Sequence, residues 1–339
     1  MPVMTRFNFD NQVASEPQAV KELIERIEVP ELDPERPLLF TGIGTSLHAC
    51  RIAAAWATRL SAGKIRPVAL EAHELGLRGP IRSEDQVVVV SHRGTKIYPN
   101  MVLSRAKGVG ALTILVTGFG VEHPMGDWVL RTCRDETAST HSVSYVTALA
   151  ALGLLVAPLA GEGGREFKAA LYNIPEAMEK TLALPIPPSI AKNLTSSTHI
   201  LLTGFGLDEI TAEEAALKLK EGTYVWAEGM SVEFALHGTP AAFQKGMAAI
   251  MITPGEDDGG RHLALRGLLE EVGVKVFSCG NESESDLRFI GENPLTMPFV
   301  SIIPLQRLVG ELARTRGTNP DTTHGDVEPW ASAIKRVKL

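Results

Sequence analysis

Near the middle of this 339-residue sequence, AEEAALKLKEG (212–222) sets Glu214, Lys218 and Glu221 four and three residues apart. On a helix that spacing puts the three on one face. A carboxylate beside an ammonium can take a proton from a C–H next to a carbonyl, the step that moves a carbonyl between adjacent carbons. The same spacing also suits a salt-bridged surface helix ended by Gly222, and these residues alone leave both readings open. His237, in FALHGTP, is open in the same way, as a structural or a proton-handling histidine.

Three further segments could hold an anion. In GIGTS (42–46), Gly42 and Gly44 let backbone approach a ligand, while Thr45 and Ser46 add hydroxyls beside helical N–H groups. A glycine turn with a Ser/Thr cap and no ligand would read the same. SHRGTK (91–96) gathers Ser91, Arg93, Thr95 and Lys96, two hydroxyls and two cations that suit a phosphate or, equally, a solvated loop. ETASTHS (136–142) is a hydroxyl-rich entry to a helix, with simple capping as its alternative.

These residues sit at the ends of elements that recur. PLLFTGIG, QVVVVSHRG and ALTILVTG each read as a strand ending in a turn, and a helical pattern follows. HILLTGFG, AAIMITPG and VKVFSCG repeat the set: Gly42 to Gly204, Ser91 to Thr253 and Gly118 to Gly280 are each 162 residues apart. This register predicts a duplicated domain. The fold expected is α/β, two tandem flavodoxin-like three-layer αβα domains with parallel sheets. Each copy opens with a helix after a proline, from EPQAVKELIERI and IPEAMEKTLAL. A fourth strand is expected in RPVALEAHEL (66–75) and in TYVWAEG (223–229). The expected division is a helical segment 1–36, a first domain 37–165, a linker helix and proline-rich connector 166–194, a second domain 195–316, and a tail 317–339.

The second copy's turn TPGEDDGG is acidic and would repel phosphate, so the first copy is the expected phosphate holder. A net charge of −7 lacks the basic footprint of a nucleic-acid binder. Cys50, Cys133 and Cys279 are scattered and odd in number, against a disulfide framework or structural zinc. The opening MPVMTRFNFDNQ has no apolar signal region, and 143–160 reads as a buried core helix rather than a membrane span. No membrane partner is therefore expected, and the location expected is cytoplasmic.

Taken together, the segments resemble the sugar isomerase (SIS) domain family, most of all the isomerase half of the glutamine–fructose-6-phosphate aminotransferases. GIGTSLHA resembles that family's C-G-T-S-x-H-A turn and ASTHS its A-S-T-K segment. ALKLKE, followed sixteen residues later by His237-Gly238, resembles its A-L-K-L-K-E…H-G pair. The resemblance implies that Ser46, Ser91, His92 and Ser139 hold the sugar phosphate and that Glu221 is the base. It implies that Lys218 assists proton transfer and that His237 assists ring opening, reaching into a neighbouring subunit's site. Lys335 would correspond to a catalytic lysine of the family's tail. A homodimer and no metal or other cofactor are implied as well.

The sequence departs from the family in three ways. It shows no glutaminase domain and no cysteine near residue 1, so glutamine-dependent ammonia transfer by this chain is not expected. Arg93 and Lys96 replace a serine and a threonine of the family's phosphate loop. His141 stands at a usual lysine, and Thr239 interrupts H-G-P. The implied activity is an aldose–ketose isomerase or amino-sugar-6-phosphate deaminase. The alternatives are a sugar-phosphate-binding regulator and a deglycase of a fructosamine 6-phosphate.

Overall fold

The computed structural model describes residues 6–134 and 136–337. In chain order the elements are α1 (Asn8–Arg26), β1 (Leu38–Gly42), α2 (Thr45–Leu60), β2 (Val68–Glu71), α3 (Ala72–Leu77), β3 (Gln86–Val90), α4 (Ile97–Val109), β4 (Leu112–Thr117) and β5 (Trp128–Arg131). They continue with α5 (Val143–Val156), α6 (Gly161–Leu182), α7 (Pro188–Leu194), β6 (Ile200–Gly204), α8 (Leu207–Thr223), β7 (Ala227–Ser231), α9 (Val232–Leu236) and β8 (Ala248–Ile252). The last are α10 (Arg261–Glu271), β9 (Lys275–Gly280), β10 (Leu287–Arg288), α11 (Met297–Arg316) and α12 (Trp330–Arg336).

The strands form two all-parallel five-stranded sheets, ordered β2-β1-β3-β4-β5 and β7-β6-β8-β9-β10. Both sheets thus have one strand order, and in each the order reverses beside the first strand, where ligands bind in such folds. Central strands β3, β6 and β8 are buried at every residue, because helices cover both faces.

Packing divides the chain into two units that interleave along the sequence. Of the described residues, the first holds 15–134, 136, 143–175 and 329–337; the second holds 6–14, 137–142 and 176–328. In the first, α2 packs against α5 on one face of the sheet, while α3 and α4 close the other over Val87, Val89 and Leu115. In the second, α8 packs on β6, β7 and α11, and α9 and α10 cover the opposite face over Leu201, Ala249 and Met251. Every residue of α5 is buried inside its unit, which is how a run apolar enough for a membrane is satisfied here.

Three sequence expectations need correction. Helices α1 and α6 do not begin at their prolines; they run through Pro17 and Pro175. Each carries an apolar stripe that starts earlier, Phe9-Val13-Val20-Leu23 and Phe167-Leu171-Ile174-Met178, all buried, and burial of that stripe outweighs the lost hydrogen bond. The fourth strands are shorter than expected: 66–75 yields only β2 before α3 starts, and 223–229 begins as the end of α8. The outermost strands β5 and β10, four and two residues long, were not expected at all.

Candidate functional site

The first-sheet turn after β1 folds tightly because two positions tolerate no side chain. A Cβ on Gly42 would lie 2.7 Å from the backbone of Ser46, and Gly44 has φ 54° with ψ −124°. Helix α2 therefore starts at Thr45, with Thr45 and Ser46 half-buried in its first turn, and the Ser46 N–H donates to the Ile43 carbonyl at 3.2 Å. Such a terminus attracts an anion.

The turn after β3 is built on the next strand. Ser91 is buried; its N–H donates to the Val116 carbonyl at 2.9 Å, and its carbonyl accepts the Thr117 hydroxyl at 2.7 Å. The His92 carbonyl accepts the Gly118 N–H at 2.9 Å, and the His92 ring sits where a Cβ of Gly118 would be, 2.7 Å from Cε1. Gly94 turns the chain at φ 63° and is held by Asn100, whose amide donates to its carbonyl at 2.9 Å. Arg93 and Thr95 are exposed, and Lys96 is half-buried at the start of α4. Burial, and then the charge of Arg93, hold the Lys96 ammonium below the usual lysine range. Two cations that repel each other at a helix start suit an anionic ligand.

The second unit carries the carboxylate helix. Lys218 is 1% exposed; its Nζ lies 3.4 Å from Glu214 Oε1 and 2.8 Å from Glu221 Oε2. Glu214 is fully buried, whereas the Glu221 side chain stays 30% exposed. The surface-helix reading of this segment is therefore replaced by a buried ammonium flanked by two carboxylates. Nor does Gly222 end the helix. It is the place where α8 approaches α11 so closely that a Cβ would run into Val309, and Tyr224 takes the left-handed capping position at φ 58°.

The remaining candidates lie elsewhere. His237, on the turn after α9, is 70% exposed, and its Nε2 is 2.7 Å from Glu233 Oε1. Arg261 also bonds Glu233, at 2.6 and 3.2 Å, and holds that carboxyl below the usual range. Ser139 is exposed; its N–H donates to the Asp321 carbonyl at 2.9 Å, and Thr140 N–H donates to the Pro320 carbonyl at 3.1 Å. Lys335 is exposed on α12. Among the described residues, no three His, Cys, Asp or Glu side chains gather as metal ligands.

Several residues take roles that the sequence reading did not assign to them. The acids of TPGEDDGG fold the turn into α10: Asp257 and Asp258 accept the N–H groups of Gly259, Gly260 and His262 at 2.9, 3.0 and 2.6 Å. Asp208, 6% exposed in the first turn of α8, has its carboxyl pushed up to about 7 by burial and then by Glu256. The 162-residue register points to it, since it pairs Asp208 with Ser46. Tyr224 and His324 stack with centroids 3.5 Å apart, a contact across a hundred residues that no local pattern announces.

No family model matches the chain. In sequence it is similar to the glutamine–fructose-6-phosphate aminotransferase [isomerizing] of Pyrococcus horikoshii, 27% identical across 91% of this chain and 55% of that protein. The chain thus spans about half the length of the curated relatives it matches. In fold it is similar to the C-terminal domain of glucosamine-fructose-6-phosphate aminotransferase from Francisella tularensis, with TM-score 0.83 and 21% identity over 94% of this chain and 98% of that one. It is also similar to glucosamine-6-phosphate deaminase from Thermotoga maritima, with TM-score 0.77 and 21% identity over 93% and 97%. The chain carries the SIS fold and is a sequence relative of the glutamine–fructose-6-phosphate aminotransferases.

Proposed function

We propose that this SIS-fold chain moves a proton between the first two carbons of a hexose 6-phosphate, through an enediol or enolamine. The products are those of an aldose–ketose isomerase or an amino-sugar-6-phosphate deaminase. The observation that carries the reading is the Glu221 carboxylate, part exposed and fixed at 2.8 Å by a buried lysine. A base must be held over one C–H, and a buried ammonium anchored by a second carboxylate fixes it with little freedom left to lose.

In this reading Glu221 removes the proton from C2 of the aldose form and returns it to C1, while a proton moves from the C2 oxygen to the C1 oxygen. With an amino group on C2, the enolamine becomes a ketimine, and water then releases ammonia and leaves the ketose. Lys218 positions Glu221 and assists proton transfer; Lys335 is the tail lysine that the resemblance offers as a further catalytic residue. Ser46, Ser91, His92, Arg93, Thr95, Lys96 and Ser139 hold the phosphate and sugar, supported by the backbone at Gly44 and Thr45. Binding energy at the phosphate orients the reacting carbons. His237, exposed and tethered to Glu233, suits ring opening in the site of a second copy, so a homodimer working in the cytoplasm is part of the proposal.

Proton NMR with glucosamine 6-phosphate and fructose 6-phosphate in deuterated water tests this. Deuterium entering C1 or C2 is the expected result, and ammonia release separates deaminase from isomerase. Binding without exchange for either sugar would overturn the enzyme reading and favour a sugar-phosphate-binding regulator. Arg93 and Lys96, as cations at the turn, favour one further substrate: a fructosamine 6-phosphate formed on an amino acid, whose carboxylate they would meet, with deglycation as the reaction.

A further inference from the structure

Four non-glycine residues have left-handed backbone among the described residues: Ala62, Tyr224, Thr323 and His324, at φ 50°, 58°, 47° and 61°. Such conformations are strained for residues with a side chain and persist only where the surroundings over-determine them. Three of the four meet at one place. Tyr224 caps α8 three residues after Glu221, and its ring stacks on His324 at 3.5 Å with 25° between planes. The Tyr224 hydroxyl donates to the Asn319 carbonyl at 3.1 Å and accepts the His324 N–H at 3.0 Å.

The segment 319–324 reaches two other elements of the same unit. The Asp321 carboxylate accepts the N–H groups of Asn8 and Phe9, at 2.8 and 2.9 Å, at the start of α1. The carbonyls of Asp321 and Pro320 accept the N–H groups of Ser139 and Thr140. Neighbouring Thr318 bonds the Gly222 carbonyl at 2.8 Å, and Arg316 bonds the Thr223 carbonyl at 3.0 Å, so the last carbonyls of α8 are held from the same stretch.

We propose that 319–324 is a strained clasp in which His324 and Tyr224 are positioning residues. The clasp fixes the end of α8 that bears Glu221 and, through the same six residues, the backbone of Ser139. This rests on the proposed function, because positioning matters only if Glu221 and Ser139 meet substrate. A tail serving only to close the fold has no need of two consecutive left-handed non-glycine residues, since glycine would close it at lower cost.

The test compares His324→Ala, which removes the stack, with His324→Phe, which keeps a flat ring over Tyr224. In the deuterium-exchange assay, kcat of His324→Ala falls about 10- to 100-fold, because a misplaced base loses rate steeply. Its KM stays within about twofold, and His324→Phe returns kcat to within about threefold of the parent. Amide hydrogen exchange on the full chain reads the clasp without turnover: Ser139 and Thr140 exchange about tenfold faster in His324→Ala and recover in His324→Phe. Unchanged Ser139 and Thr140 exchange in a folded His324→Ala overturns the clasp, as does lost turnover that the phenyl ring fails to restore. Absence of turnover in the parent overturns the proposed function, while the amide measurement still decides the clasp.

Discussion

Asp208 occupies in the second sheet the place that Ser46 occupies in the first. Each is the second residue of its helix, behind a glycine with matching backbone, φ 62°, ψ −120° at Gly206 and φ 54°, ψ −124° at Gly44. One cradle offers a half-buried hydroxyl and the other a buried carboxylate. An anion at the second would meet Asp208 and Glu256, so the chemistry separates two turns that the backbone makes alike.

Exchanging that one residue carries the difference across. Ser46→Asp weakens binding of a hexose 6-phosphate at least about 100-fold, equivalent to about 2.7 kcal/mol. Titration calorimetry on the parent and the variant measures it. Equal affinity would place the phosphate somewhere other than the α2 terminus.

Asp208 also sets a pH dependence of stability. Its folded-state carboxyl titrates near about 7 rather than 3.8, so between those values the folded chain holds a proton that the unfolded chain has lost. Stability therefore rises as pH falls through that window and is lowest above it, a span of roughly 4 kcal/mol at about 1.4 per unit. Asp208→Asn is more stable than the parent at pH 8, and the gap closes toward pH 4. Denaturant unfolding at both pH values checks this; parallel curves would count against it.

Glu221→Gln retains the side-chain shape and removes the carboxylate that the proposed reaction uses as its base. Deuterium exchange at C1 or C2 falls at least about 1000-fold, within the range for losing a positioned acid–base group. Sugar-phosphate binding by calorimetry stays within about threefold, since uniform binding is untouched. Retained exchange would move the base role elsewhere.

Lys218→Met leaves Glu214, fully buried, without its ammonium. Removing one member of a buried pair costs about 3–5 kcal/mol, so chemical denaturation should show a loss of that size. Adding Glu214→Gln should recover most of it, because the stranded charge is the cause. A loss below about 1 kcal/mol would mean the pair is solvated rather than buried.

Gly42→Ala forces a methyl to 2.7 Å from the Ser46 carbonyl carbon, backbone that cannot move without the helix start. Overpacking of this kind costs about 1–3 kcal/mol. The expected result is a lower melting temperature together with weaker phosphate binding, read by thermal unfolding with and without the sugar phosphate.

Much of the architecture was legible from local pattern. The strand-turn-helix runs, their order and the 162-residue register follow from apolar runs and glycine turns, because parallel βαβ units write their periodicity into short stretches. Edge strands β5 and β10 were not legible, since four and two residues carry too little pattern, and pairing with β4 and β9 makes them strands. The prolines of α1 and α6 misled for a related reason: a proline reads as a start, while the buried stripes around Pro17 and Pro175 decide otherwise.

By itself the sequence determined which residue types stand at the strand ends and that Glu214, Lys218 and Glu221 share a face. Only tertiary structure decided that Lys218 and Glu214 are buried, because α8 is packed among β6, β7 and α11, and that the Glu221 side chain keeps 30% of its exposure. Likewise, only the fold brings 137–142 and Tyr224 to the segment 319–324, across separations of roughly 180 and 100 residues. Local propensity cannot encode such contacts; they form when burial and hydrogen-bond satisfaction are settled over the whole unit.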